Sequence, residues 1–173
     1  MAMRALASNE CHCLVGCQQE FNTIGVGGDD LKLEPLDRYS LFYQAMSIGL
    51  FIRREVFANI GGFDESLGLG AGTPYGSGEE SDLLIRACQA GWLLSRCPQL
   101  VIWHANVDYA SPGLAEKAIS YGRGRRRILQ KHGYPGWFVW LNWLWPLACI
   151  ALRPFPRARI RYFWAMFIGR AFD

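Results

Sequence analysis

Three carboxylates, Glu79, Glu80 and Asp82, follow directly on a stretch rich in glycine. Residues 61–78 hold Gly61, Gly62, Gly68, Gly70, Gly72, Gly76 and Gly78 together with Pro74. A loop of that length without structure of its own is usually functional or disordered. This one runs straight into a well-marked helix, which favours function. Acids in the first turn are also what the helix dipole alone would select. Two features weigh against that plain reading. A long glycine loop lets backbone fold closely over a ligand, and His104 falls where a strand is ending, although a lone histidine is more often a satisfied surface residue than a ligand. A carboxylate at a loop–helix junction can be desolvated enough to work as a general base, so the chemistry these residues allow is proton abstraction.

A second set of reactive side chains lies near the start. Cys11-His12-Cys13 with Cys17 would offer soft metal ligands. A C-x-C-x3-C run without a second downstream pair fits no established zinc spacing. Small buried thiols are the alternative, and it extends to Cys88, Cys97 and Cys149. Met1 to Glu10 has no apolar stretch of signal-peptide length, so reduced thiols are expected rather than a disulfide framework.

The elements that must position these residues read as follows. Residues 1–30 are expected as a short helix or loop and then a turn around Gly25, Gly27 and Gly28. Ser47 to Ile52 reads as a buried strand, Arg53 to Ile60 as one or two helical turns, and Gly61-Gly62 as their stop. Ser77-Gly78-Glu79-Glu80 has the pattern of a capping box, in which the Ser77 hydroxyl takes the N3 amide and Glu80 reaches back. Leu83, Leu84, Ala87 and Cys88 then recur at helical spacing until Gly91. Trp92–Ser95 and Leu100–Trp103 read as strand segments divided by Pro98, with Trp103 as core packing.

Charge divides the chain. Residues 1–116 carry 7 Lys/Arg against 14 Asp/Glu, whereas residues 117–173 carry 11 against 1 and also hold five of the seven Trp. With 51% hydrophobic and 19% charged residues the chain is not intrinsically disordered, and a mean hydropathy of +0.04 is high for a purely soluble protein. Helix is expected from Ala115 to His132, strongly basic from Arg123 to Lys131. Tyr134 to Leu152 follows with no charge over 19 residues, close to the roughly 20 needed to span a bilayer. Four Trp, Asn142 and Pro146 inside it favour an in-plane or re-entrant hairpin equally, and a buried core helix is the third alternative. Arg157 to Phe172 alternates basic and aromatic residues in the manner of an interfacial helix. A basic, Trp-rich tail fits anionic lipid better than nucleic acid, for which no binding motif is present.

Taken in order, Ser47 to Phe57, then Ile60-Gly61-Gly62-Phe63-Asp64-Glu65, then Gly76-Ser77-Gly78-Glu79-Glu80-Ser81-Asp82, then Val101-Ile102-Trp103-His104, resemble the C-terminal half of a bacterial family 2 glycosyltransferase with the GT-A fold. The likeness covers residues 45–105, and the tail resembles the membrane-associating ends of members that build surface polysaccharide. The resemblance implies that Glu80 is the general base acting on the acceptor hydroxyl, standing where the family usually has Asp. Glu79 and Asp82 would support the acceptor side, Asp64 would shape the acceptor pocket with Gly76 and Gly78 among the substrate-binding positions, and His104 would help hold Mn²⁺ or Mg²⁺ or the diphosphate. It further implies a nucleotide-sugar donor, a glycan or lipid-linked acceptor, and a place on the cytoplasmic face of the bacterial inner membrane.

The departure is the Asp-x-Asp motif that holds the metal in that family, which this sequence lacks. Asp29 and Asp30 are adjacent, and neighbours on a strand point to opposite faces. The expected architecture is therefore α/β: a partial GT-A-like mixed sheet with flanking helices over residues 1–114, then a helical membrane-associated tail over 115–173. A partner chain would supply the missing nucleotide-binding half. The alternative is a catalytically inactive membrane module that binds glycan or a partner protein.

Overall fold

The computed structural model describes residues 2–7, 11–20, 32–45, 48–105, 107–152 and 156–172. They form a mixed α/β chain with a four-stranded sheet and seven helices. Two compact units result: Met1–Phe63 with Glu80–Asn106, and Asp64–Glu79 with Val107–Asp173. The boundary thus differs from the expected division at residue 114. The glycine loop belongs to the helical unit, because its backbone packs on a helix of that unit.

In the sheet unit, helix α1 (Ala2–Ala7) precedes strand β1 (Cys13–Glu20). The strand corrects the expectation of helix or loop before the first glycine turn; Gly25, Gly27, Gly28, Asp29 and Asp30 themselves lie outside the described residues. Its physical origin is position. The order is β2-β4-β1-β3, so β1 is internal, and Cys13, Leu14 and Val15 are at most 1% exposed. A strand covered on both faces shows no apolar–polar alternation to read. β1 runs antiparallel to β3 (Leu50–Ile52) and parallel to β4 (Leu94–His104), whose other edge takes the two-residue β2 (Glu34–Pro35) antiparallel. The short helix α2 (Leu41–Gln44) buries Leu41 and Phe42.

β4 is one strand where two were expected. Pairing jumps from Val15 opposite Arg96 to Cys17 opposite Val101, so Pro98 sits in the bulged stretch and breaks no regular ladder. Gly16 faces that bulge: a Cβ there would lie 2.7 Å from the Leu100 carbonyl oxygen. Trp103, expected in the core, is 42% exposed near the strand end. Helix α3 (Arg54–Ile60) ends at Gly61 with φ +80°, and α4 (Glu79–Gln89) is followed by Gly91 with φ +84°, both as the glycines foretell. Leu83, Leu84, Ile85 and Ala87 of α4 are fully buried.

The helical unit contains α5 (Leu114–Lys131), α6 (Gly136–Leu152) and α7 (Arg157–Ala171). Glycine sets how closely α5 and α7 approach. A Cβ on Gly122 would meet the Met166 carbonyl oxygen at 2.5 Å, and one on Gly169 would meet the Ile119 carbonyl oxygen at 2.1 Å. Pro146 has no N–H to give the carbonyl of Asn142 one turn earlier. The Arg170 guanidinium donates to that carbonyl instead. The Asn142 side chain accepts from Arg125 Nε at 3.1 Å and donates to the Phe138 carbonyl at 2.9 Å. This pins the rotation of α6. Phe138, Asn142 and Pro146 face inward, while Trp137, Trp140, Leu141, Leu144 and Trp145 stand 49–60% exposed on the remaining surface.

No described helix is long and apolar enough to cross a membrane. The 17 residues of α6 rise about 25 Å at 1.5 Å each.

The close α5–α7 crossing makes a prediction. Gly169→Ala forces backbone apart and should destabilise by about 1–3 kcal/mol in denaturant unfolding. Gly136→Ala, where an added Cβ meets nothing within 4 Å, should shift stability by less than about 1 kcal/mol.

Candidate functional site

Position within the first turn of α4 separates the two glutamates. Adjacent helical residues project about 100° apart, and their surroundings differ accordingly. Glu79 packs under the loop of the helical unit, where a Cβ on Gly68 (φ +93°) would lie 2.7 Å from its carboxylate carbon. Glu80 instead lines a cavity of about 440 Å³ in the sheet unit, together with Leu6, Leu50, Phe51, Ile52, Phe57 and Phe63. Among the described lining residues it is the only one with a polar side chain.

Asp82 is placed differently from the two glutamates. It is fully buried and accepts from Arg86 Nε at 2.8 Å, one helical turn away. The two remaining guanidinium nitrogens donate to the carbonyls of Ile60 and Gly62, each at 2.6 Å. The pair thus clamps the Gly61-Gly62 turn to α4 and sets where Phe63 leaves it. Sequence reasoning missed Arg86, although its i,i+4 spacing from Asp82 was the available signal.

The expected capping box does not form. The Ser77 hydroxyl donates to the Tyr121 carbonyl at 3.0 Å, two residues before α4 begins. Gly124 makes this possible, since a Cβ there would lie 2.2 Å from the Ser77 carbonyl oxygen. Gly76 donates its amide to the Ser120 carbonyl at 3.1 Å, and Gly78, at φ +106°, packs on Ile128. Both expected substrate-binding glycines therefore serve loop–helix packing within the helical unit. The Tyr121-Gly122-Arg123-Gly124 segment owes its two glycines to these close approaches.

Asp64 anchors the other end of the loop. It accepts from Lys131 Nζ at 2.7 Å and from the Ser66 hydroxyl at 2.6 Å. The Lys131 ammonium, then the Ser66 hydroxyl and amide, pull its carboxyl down to about 2. His104 is exposed at the end of β4, with Nδ1 2.7 Å from the Ala105 carbonyl oxygen, and is not among the residues lining the Glu80 cavity. Among the described residues, no three His, Cys, Asp or Glu gather to hold a metal ion.

The cysteine cluster is structural. Cys11 and Cys13 are fully buried, and burial, reinforced by neighbouring Cys11, pushes the Cys13 thiol up to about 12. His12 accepts from the Leu93 amide through Nδ1 and meets Trp92 edge-on at 4.9 Å.

With this geometry in hand, comparison with family models, curated proteins and solved structures finds no match to the chain.

The Asp64–Lys131 pair predicts a pH-dependent anchor. Because the folded carboxyl titrates below its usual value, the contribution is complete above the unfolded pKa and lost as pH falls toward about 2. Lys131→Met should cost about 1 kcal/mol at pH 7. In denaturant titrations the gap from wild type should stay constant above pH about 5 and shrink progressively below about 4.

Proposed function

We propose that this chain is the acceptor-side part of an inverting, membrane-associated glycosyltransferase of the family 2 type, its sheet unit corresponding to part of a GT-A fold. The observation that carries the reading is Glu80: a carboxylate at the start of α4, after a glycine loop, opening on a cavity large enough for an acceptor. In this reading Glu80 takes the proton from an acceptor hydroxyl as the oxygen bonds to the anomeric carbon. The bond from that carbon to the nucleoside diphosphate breaks with inversion, and the diphosphate leaves with the electron pair. No step is assigned to a metal. The donor nucleotide sugar would be held by residues outside those described or by a partner chain, in the synthesis of surface polysaccharide or another glycan.

The α6 surface supports the membrane part of the proposal. Trp137, Trp140, Leu141, Leu144 and Trp145 form an exposed apolar stripe, and α7 adds exposed Arg157, Arg161 and Trp164. Exposed tryptophans beside exposed arginines suit an anionic membrane interface. For the bacterial chain that the resemblance implies, this is the cytoplasmic face of the inner membrane.

A second reading, a catalytically inactive module that binds glycan or a partner, draws on one observation: the sequence has no Asp-x-Asp, and the described residues gather no metal cluster. Glu80→Gln separates the two. With UDP- and GDP-sugars as donors, transfer should fall on the order of 10²–10⁴-fold while acceptor binding stays within about threefold, as isosteric neutralisation leaves the cavity's shape intact. Transfer that survives the substitution removes Glu80 as the base. Wild-type binding of glycan without transfer from any donor, once the nucleotide-binding half is supplied, favours the inactive module.

Membrane association has its own measurement. Intrinsic Trp fluorescence should shift to the blue with phosphatidylglycerol vesicles and much less with phosphatidylcholine. The combined Trp137→Ser, Trp140→Ser and Trp145→Ser variant should lose about tenfold or more in vesicle affinity. Equal binding by wild type and variant would remove α6 as the contact.

A further inference from the structure

We infer that the cavity beside Glu80 takes an alcohol carried on an apolar skeleton, and not a bare sugar; the inference rests on reading Glu80 as the base for the acceptor hydroxyl. The walls come from four elements and one loop position of the sheet unit. Leu6 belongs to α1, Leu50, Phe51 and Ile52 to β3, Phe57 to α3, Phe63 to the segment after Gly62, and Glu80 to α4. Six of the seven lining side chains have no polar atom. A sugar presents hydroxyls around its whole perimeter, and each one buried without a partner carries a desolvation penalty. Among the described lining residues the cavity offers a single side-chain acceptor. It matches a molecule with a single donor and an otherwise apolar body.

The sign of the polar group narrows the class further. A carboxylate accepts hydrogen bonds and repels anions, so the ligand must present an O–H or an ammonium near Glu80; only the alcohol leaves an oxygen nucleophile once its proton is taken. The apolar wall is also held in place rather than left to collapse. Arg86 fixes the Ile60 and Gly62 carbonyls, and Phe63 stacks at a tilt on Phe57 with ring centroids 6.1 Å apart. Phe51 and Phe63 remain 38% and 47% exposed. They form the rim on which an apolar chain would lie.

Calorimetry on the full chain in amphipol, with geraniol as the probe, tests the inference without any sugar donor. Geraniol should bind at one site and geranyl methyl ether, which keeps the skeleton but cannot donate, about tenfold more weakly. Phe63→Ala and, separately, Phe51→Thr should each weaken geraniol by about threefold to tenfold. Both residues lie at the rim, and far-UV circular dichroism and melting should match wild type. Glu80→Leu should erase the preference for the alcohol over the ether. Equal binding of alcohol and ether to wild type would overturn the inference and leave only an apolar seat, as for a segment of a partner chain. Displacement of geraniol by methyl β-glucoside, or absence of geraniol binding, would overturn it as well. The readouts keep the two proposals apart. Geraniol binding without transfer from any donor, once the nucleotide-binding half is supplied, defeats the glycosyltransferase reading alone. Transfer to a bare glycan that geraniol neither inhibits nor competes with defeats this inference alone.

Discussion

A carboxylate with no exposed surface must be given a cation, and in the sheet unit that requirement organises the site. Asp82 is buried among the apolar residues of α4, and Arg86 neutralises it from one turn away. Burial of the pair carries a desolvation cost, which good geometry and additional hydrogen bonds offset. The guanidinium spends its remaining donors on the Ile60 and Gly62 carbonyls, and so the ion pair becomes a clamp on the glycine turn. The direction in which Phe63 emerges, and with it one wall of the Glu80 cavity, depends on that clamp. Asp82 thus reaches the cavity wall through Arg86 and the glycine turn.

Within the helical unit the corresponding constraint is the missing amide of Pro146. A helix interrupted by proline leaves an acceptor unsatisfied, and Arg170 supplies the donor. Together with the Arg125–Asn142 hydrogen bond, this holds three inward residues of α6 and turns its Trp-rich surface outward. Residues that read as obstacles to a membrane span are the ones that fix which face of the helix is free. The glycines of α5 and α7 then permit the backbone contacts that keep α7, and hence Arg170, within reach. The glycine loop uses the same principle on the opposite side of α5, where Gly76, Gly78 and Gly124 let loop and helix backbones meet.

Much of this was legible in the chain itself. Local signals set α3, α4, α5 and α7, because periodic apolar residues and terminal glycines act over a few positions and need no partner. The α/β class, the glycine loop and Glu80 at its end were legible for the same reason. β1 was not, because an internal strand buried on both sides has no alternation, and its Cys-Leu-Val-Gly-Cys run looks like nothing in particular until β3 and β4 flank it. The Ser77 capping box failed for a related reason: a hydroxyl with a local option was taken by Tyr121, a partner 44 residues away.

What the sequence by itself determined is therefore the helices α3, α4, α5 and α7, the glycine punctuation around them, and a short list of carboxylates with catalytic potential. Only the tertiary structure decided how those carboxylates divide: Glu79 against the loop, Asp82 in an ion pair, Asp64 on Lys131, and Glu80 alone on an open apolar wall. The reason is that helical spacing fixes the angle between neighbouring side chains, whereas burial, pairing and exposure depend on what long-range packing brings opposite each one.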